Sequence, residues 1–415
     1  MELLSPAGNL EKLRAAINFG ADAAYLAGPG FGLRAASTEF SPEALAAAVA
    51  EAHEKGVKVY VTVNATPHEN EYPALESYLD LLARIRPDGL IVSDPGVILL
   101  CREKLPGIPI HLSTQANAVS SAACRAWYGM GVRRIVLARE LSLAEIKEIK
   151  RKIPEDLALE AFVHGSMCIS YSGRCLLSGY FTGRDANRGD CTQPCRWKYR
   201  VGRLAGELIE ESRPDESIPV EEDAGGTFIL ASRDLSMIEH LSDLADAGVT
   251  SLKIEGRMKS ALYVAAVTNA YRMALDSLVR GERTIDPRLL SELESVSHRE
   301  YSTGFYYGNP HDDPNLVSRP GYLGEKSYLG AVVGYDEKTG LALCEQRNKL
   351  TVGDEVEVLS PGKFGRAFTV PALFGEDGAP LDGTPHPGMK FLLPVPFPVA
   401  AGDLLRCHAR AGDAD

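Results

Sequence analysis

The sequence predicts an α/β fold: a (β/α)8 TIM-like barrel with a cysteine-rich insertion after its seventh strand, followed by a small antiparallel β-barrel. Three observations predict it. Near-continuous apolar strands alternate with amphipathic helices from residue 2 to about residue 280, which implies a parallel sheet covered by helices. The strands number eight, as a closed barrel requires and an open doubly wound sheet does not. From about Gly324 the pattern changes to short strands broken by Gly and Pro, which reads as a small antiparallel barrel.

The elements follow in order. ELLSP is the first strand, and Asn9 caps the helix LEKLRAAINFG. AAYLAG is the second strand. Ser41 and Pro42 open SPEALAAAVAEAHEKG, a helix that ends at Gly56. VKVYVTVN, GLIVSD, IHLSTQ and RRIVLARE are strands three to six, separated by helices at YPALESYLDLLARIRP, PGVILLCREKLP and SSAACRAWYGMG. Ser142 caps LAEIKEIKRKIP, and LEAFVHG is strand seven. FILASRDL supplies a further strand and SMIEHLSDLADAG a helix before strand eight, SLKIEGR, and its long helix MKSALYVAAVTNAYRMALDSLV. The expected divisions are a barrel at 1–285 carrying an insertion at about 166–225, a helical and loop linker at 286–323, and the C-terminal barrel at 324–415.

Composition bounds the function. Apolar residues make up 45% and charged residues 24% of the 415, ordinary for a globular chain. The N-terminus has no basic region followed by an apolar stretch, and no window approaches a membrane span. A cytoplasmic protein without a membrane partner is expected, and there clustered cysteines bind metal more often than they pair. A net charge of −12 argues against a surface that attracts nucleic acid everywhere. A local basic patch nevertheless exists: seven basic residues against two acids between Arg174 and Arg203.

Barrel chemistry sits at the C-terminal ends of the strands. Here those ends carry Asn64, Asp94, Gln115, Arg139, Glu140, His164, Lys253, Glu255 and Arg257. Taken singly, each could cap a helix or pair with a neighbour; together they predict a shared polar pocket. Arg139, Lys253 and Arg257 suit a carboxylate or phosphate, with Gln115 and Asp94 as further binding candidates. His164, Glu255, Glu140 and Asn64 are the candidates for catalytic work, although His164 could equally be a satisfied core histidine.

Four of the eight cysteines, Cys168, Cys175, Cys191 and Cys195, fall within one stretch with gaps of six, fifteen and three residues. The spacing lacks the paired knuckles of most structural zinc sites. It admits a cluster held by four thiolates, and zinc stays open as an alternative. The same stretch carries Arg184, Arg188, Arg196 and Lys198, expected to contact a polyanion unless they form a solvated loop.

The segment EAFVHGSMCISYSGRCLLSGYFTGRDANRGDCTQPCRWKYRV resembles the diagnostic block of the U32 (collagenase-like) peptidase family. ELLSPAGNLEKL, ADAAYLAG, VYVTVN, STQANAVS, VLARELSL and SLKIEGRMKS resemble other blocks of that family, so the likeness spans nearly the whole chain. CRW-x-Y at Cys195–Tyr199 and SHREYSTGF resemble the branch that hydroxylates tRNA. Ser236 stands where some ubiquinone-pathway relatives carry a ligand cysteine, which favours the tRNA branch. The resemblance implies a prephenate-dependent enzyme forming 5-hydroxyuridine at the wobble position, with tRNA and a small carboxylate co-substrate as partners. It also implies a [4Fe–4S] cluster on the four cysteines. A peptidase, and a non-catalytic zinc-containing RNA-binding scaffold, are the alternatives. No HExxH, GxSxG or recognisable Cys–His protease pair supports the first.

Overall fold

The computed structural model describes residues 1–32, 40–186, 191–197, 232–308, 323–324 and 326–408, with the backbone of four short strands between 206 and 227. Among the described residues eight parallel strands close into a barrel. They are β1 (Glu2–Pro6), β2 (Ala23–Ala27), β3 (Lys58–Val63), β4 (Gly89–Val92), β5 (Ile110–Leu112), β6 (Val132–Val136), β7 (Ala158–Ser166) and, later in the chain, β13 (Ser251–Ile254). Closure comes from β13, which pairs with β1 (Leu4 opposite Lys253) and with β7 (Lys253 opposite Phe162). These strands read as unbroken apolar runs because both of their faces are buried. The expected barrel, in its expected strand order, is what forms.

The helices cover the barrel where their caps place them. α1 (Leu10–Asn18), α2 (Pro42–Glu54), α3 (Tyr72–Ile85), α4 (Pro95–Lys104), α5 (Ser121–Gly129) and α6 (Leu143–Lys152) each follow a strand. The side chains of Asn9, Ser41, Asp94, Ser120 and Ser142 accept from backbone N–H groups in the first turns of α1, α2, α4, α5 and α6. Ser142 and Glu145 form a reciprocal capping box.

The insertion begins with α7 (Leu177–Thr182), followed by the short strands β8 (Gly206–Ile209), β9 (Ser217–Val220), β10 (Glu222–Asp223) and β11 (Gly226–Thr227). FILASRDL is described only at its end, as β12 (Asp234–Ser236); it runs antiparallel beside β7, outside the ring of eight. α8 (Leu241–Asp246) and the buried α9 (Ala261–Val279) complete the coat, α10 (Arg288–Glu294) packs on α9, and β14 (Tyr301–Ser302) pairs with β12.

The C-terminal unit is one antiparallel sheet of β15 (Lys326–Asp336), β16 (Leu341–Gln346), β17 (Glu355–Leu359), β18 (Arg366–Thr369), β19 (Leu373–Gly375), β20 (Pro380–Leu381), β21 (Lys390–Pro394) and β22 (Leu404–His408). Its order is β18-β17-β22-β15-β16-β21-β19-β20, and a bridge between Thr351 and Gly383 draws its two halves together into a half-barrel. The sheet encloses its own core, including Val356, Leu393 and Leu405. It docks through Arg406, whose guanidinium makes a two-pronged pair with Glu292 of α10 (2.6 and 2.8 Å) and also reaches Glu357 (3.0 Å). Among the described residues no helix is long and apolar enough to cross a membrane.

Candidate active site

The strand ends of β3, β5, β7 and β13 converge on a cavity of about 90 Å³. Its walls include Tyr25, Thr62, Asn64, Gln115, Arg139, Phe162, Lys253, Glu255 and Arg257. Arg139 is among them and makes a dense set of contacts. One amino group donates to the Glu255 carboxylate at 2.8 Å, the other to the Ser166 carbonyl at 3.0 Å and lies 4.0 Å from Cys168 Sγ. The guanidinium lies 3.9 Å over the Phe162 ring, a cation–π contact strengthened by burial. Its Nε is buried with no hydrogen-bond partner among the described residues, a donor whose desolvation nothing there offsets.

Lys253 donates to Glu160 at 2.8 Å and sits 4.6 Å over the Tyr25 ring. Glu160 is fully buried and also accepts from Arg134 at 3.0 Å. Burial opposes its ionisation, but Lys253 and Arg134 outweigh burial and hold its carboxyl below the usual range. Arg257 donates to Thr62 at 3.2 Å, and Asn64 donates to Gln115 at 2.7 Å. The sequence-predicted Asn64, Gln115, Arg139, Lys253, Glu255 and Arg257 therefore meet in one place. Glu160, Phe162 and Tyr25 were not anticipated; a Glu inside the apolar run LEAFVHG was the available signal for the first.

Two expectations, His164 and Asp94, are corrected, and Glu140 lines an adjoining pocket instead of the cavity. His164 does not face the cavity. The register of β7 against β13 slips between Lys253, which opposes Phe162, and Ile254, which opposes His164. That extra residue reverses the inside–outside alternation, and His164 turns outward among Tyr263, Tyr271 and Tyr301. It is 1% exposed, and burial pushes its pKa down to about 3, so it is a neutral core histidine. Asp94 caps α4, accepting from Val97 at 3.0 Å, and does not line the cavity. Glu140 lies next door, in a pocket of about 540 Å³ shared with Cys168, Ile169, Ser170, Tyr171 and Phe305. Burial raises its pKa.

The cysteine segment lies across this face of the barrel. Cys168 lines both the cavity and the neighbouring pocket, and Ser172 lines the cavity. Asn117 anchors the segment, donating to the Ser172 carbonyl and accepting from Arg174, both at 3.0 Å. Gly165 is required where β7 leaves the barrel: its φ is +99°, and a side chain there would collide with the Glu255 carbonyl.

Among the described residues Cys168, Cys175, Cys191 and Cys195 form no disulfide, whereas Cys101 and Cys124 are buried in the core as small apolar residues. Burial raises the Cys195 pKa, with Cys168 and Cys191 among the groups acting on it. Four soft donors on one segment, with Cys168 and Cys191 both acting on Cys195, suit a thiolate-held metal centre by their chemistry. No three His, Cys, Asp or Glu side chains among the described residues already stand at coordinating distance. Of the basic candidates, Arg196 donates to Gln193 at 2.7 Å, and Arg184 borders a pocket with Phe31 and Glu71. Arg188 and Lys198 lie outside the described residues.

Comparison with known proteins agrees with this architecture. The family description Peptidase family U32 matches residues 8–315, and Peptidase family U32 C-terminal domain matches 325–406. A protein of Escherichia coli K12 named tRNA hydroxylation protein P is 40% identical, over 95% of this chain and 94% of its own length. A second E. coli K12 relative, a 23S rRNA 5-hydroxycytidine synthase, is 35% identical over 78% of this chain and 48% of its own. A Porphyromonas gingivalis protein named collagenase is 31% identical over 87% of this chain and 86% of its own. The match runs through barrel, cysteine segment and C-terminal sheet alike, and the chain belongs to peptidase family U32.

Proposed function

We propose that this protein hydroxylates a tRNA wobble uridine at C5, with prephenate as co-substrate and a [4Fe–4S] cluster on Cys168, Cys175, Cys191 and Cys195. The observation that carries the reading is the position of Cys168. It lines both the polar cavity and the larger pocket beside it, so the thiol segment and the barrel mouth form one site. The family relatives named for RNA hydroxylation favour this chemistry over proteolysis.

The cavity has room for a carboxylate group and little more. Arg139 and Arg257 would bind one carboxylate of the co-substrate there. Lys253, fixed by Glu160, adds positive potential without moving. Glu255 holds the Arg139 fork in place. The flipped uracil would occupy the adjoining pocket, where Tyr171 and Phe305 offer ring faces and Glu140 and Ser170 offer polar contacts to its edge. Replacing C5–H by C5–OH is a two-electron oxidation, so the oxygen atom and the acceptor for two electrons would come from an external oxidant; a cluster held by the four cysteines would supply redox or Lewis-acid capacity beside both pockets. Arg184 and Arg196 would attract the phosphate backbone.

The test is nucleoside analysis of tRNA from a strain lacking the gene and any redundant hydroxylation route. Loss of 5-hydroxyuridine-derived nucleosides is expected; an unchanged profile would sink the proposal. Anaerobic purification with iron and zinc assays tests the cluster: a colourless protein holding one zinc per chain assigns the thiols to zinc.

A further inference from the structure

Folding normally removes aromatic rings from water, yet the cysteine segment holds a group of them at the surface. Tyr180 is 87% exposed, Leu176 77%, Phe181 51% and Trp197 36%. The rings of Tyr180 and Phe181 lie 5.7 Å apart, and those of Phe181 and Trp197 6.2 Å, both edge to face. They form one contiguous apolar surface, and such surfaces on otherwise polar proteins mark binding sites.

The surface is built on a rigid polar frame. Ser178, 1% exposed, accepts from the Thr192 backbone N–H at 3.0 Å and shares a hydrogen bond with its hydroxyl at 3.0 Å. Thr182 donates back to the Ser178 carbonyl at 2.7 Å. The Trp197 indole N–H donates to the Thr192 carbonyl at 2.9 Å. α7 is thereby fastened to residues 192–197 by hydrogen bonds, and the three rings are held partly or largely exposed.

Charge indicates what covers them. In a chain of net charge −12, the segment from Arg174 to Arg203 carries seven basic residues and two acids. Arg174, Arg184 and Arg196 flank the rings in the chain. Exposed aromatics in an arginine-rich stretch of chain match single-stranded nucleic acid, whose bases stack on rings while its phosphates meet cations. The flexible unpaired bases of an RNA loop can do this; a duplex, whose bases are already stacked, cannot.

We propose that Tyr180, Phe181 and Trp197 form a stacking platform for unpaired bases of the RNA loop that carries the target nucleotide. This inference rests on the RNA-modifying reading above and adds to it the part of the surface that selects a loop over a duplex. Bases neighbouring the target would stack on the platform while the target enters the pocket beside Cys168.

The experiment measures binding of the full-length protein to an unmodified anticodon stem-loop and to a duplex of equal length, across a salt series. Tyr180→Ala and Phe181→Ala remove exposed rings, and circular dichroism confirms that they fold. Each should weaken stem-loop binding roughly five- to 150-fold while leaving the salt slope and duplex binding unchanged. Arg184→Glu should instead reduce the salt slope. In a Trp127→Phe background, stem-loop addition should quench Trp197 fluorescence, and duplex addition should not. Wild-type stem-loop affinity in both ring variants, alongside weakened binding by Arg184→Glu, overturns the platform and leaves the RNA reading standing. Failure of the wild-type protein to bind any RNA removes both. Ring variants that lose self-association but keep RNA affinity assign the surface to a second copy of the chain, against the proposal.

Discussion

Replacing His164 by Phe separates a catalytic histidine from a structural one. The ring is buried against Tyr263, Tyr271 and Tyr301, with Asp234, His298 and Lys259 as the charged or titratable groups acting on it. Its two nitrogens stand 3.4 Å from the Tyr271 and Tyr301 hydroxyls. Both hydroxyls also donate to backbone carbonyls, of Val163 at 2.7 Å and Leu293 at 3.0 Å, so a Phe leaves no buried donor unpaired. Burial is the largest cause of the low pKa, about 3 in the folded protein against 6.5 for the ordinary group. The unfolded chain therefore takes up the extra proton between these values, and the stability contributed by neutral His164 is lost as pH falls through that window. Linkage sets the loss from this one group at about 2 kcal/mol between about pH 7.5 and about pH 5. His164→Phe should change stability little at the higher pH and remove that share of the acid loss. Urea unfolding of both proteins at the two pH values measures the double difference. Equal acid loss in wild type and variant would refute the argument, as would a folded His164→Phe protein that no longer hydroxylates.

Gly165→Ala places a methyl group against the Glu255 carbonyl at a φ of +99°; it should destabilise the barrel by ~2 kcal/mol or more, read as a lowered melting temperature. Arg406→Met leaves Glu292 and Glu357 without their shared guanidinium and should cost about 3–5 kcal/mol, visible as earlier unfolding of the C-terminal sheet by limited proteolysis. Arg139→Met removes a cation lining the cavity; it should raise the KM for the proposed carboxylate co-substrate far more than it weakens RNA binding. On the proposed cluster, Cys191→Ser should lower bound iron per chain in anaerobic preparations, and unchanged iron content would remove Cys191 from the proposed ligands.

Much of the barrel was legible because its signals are local. ELLSP, AAYLAG and GLIVSD are apolar on both faces, and Ser41–Pro42 or Ser142 with Glu145 specify helix starts through contacts only three residues away. Position along a strand placed Asn64, Arg139 and Glu255 at the barrel mouth. Facing was legible only while the alternation held. The bulge opposite Lys253 and Ile254 turned His164 away from the cavity its position predicted. Asp94 went to a helix cap because capping draws on the same residue types as ligand binding.

The sequence by itself determined the order and type of elements, the barrel class, the family, and the segment that carries the thiols and the basic residues. The tertiary structure alone decided which charges meet. Lys253 finds Glu160, Arg139 finds Glu255, and Arg406 finds Glu292 across 93, 116 and 114 residues of chain. It also decided that Tyr180, Phe181 and Trp197 present one surface. The division has one physical cause. Propensity, capping and hydrophobic period act within a few residues of chain, whereas the partner and facing of a side chain depend on how distant segments pack, where one extra residue in a strand reverses every side chain beyond it.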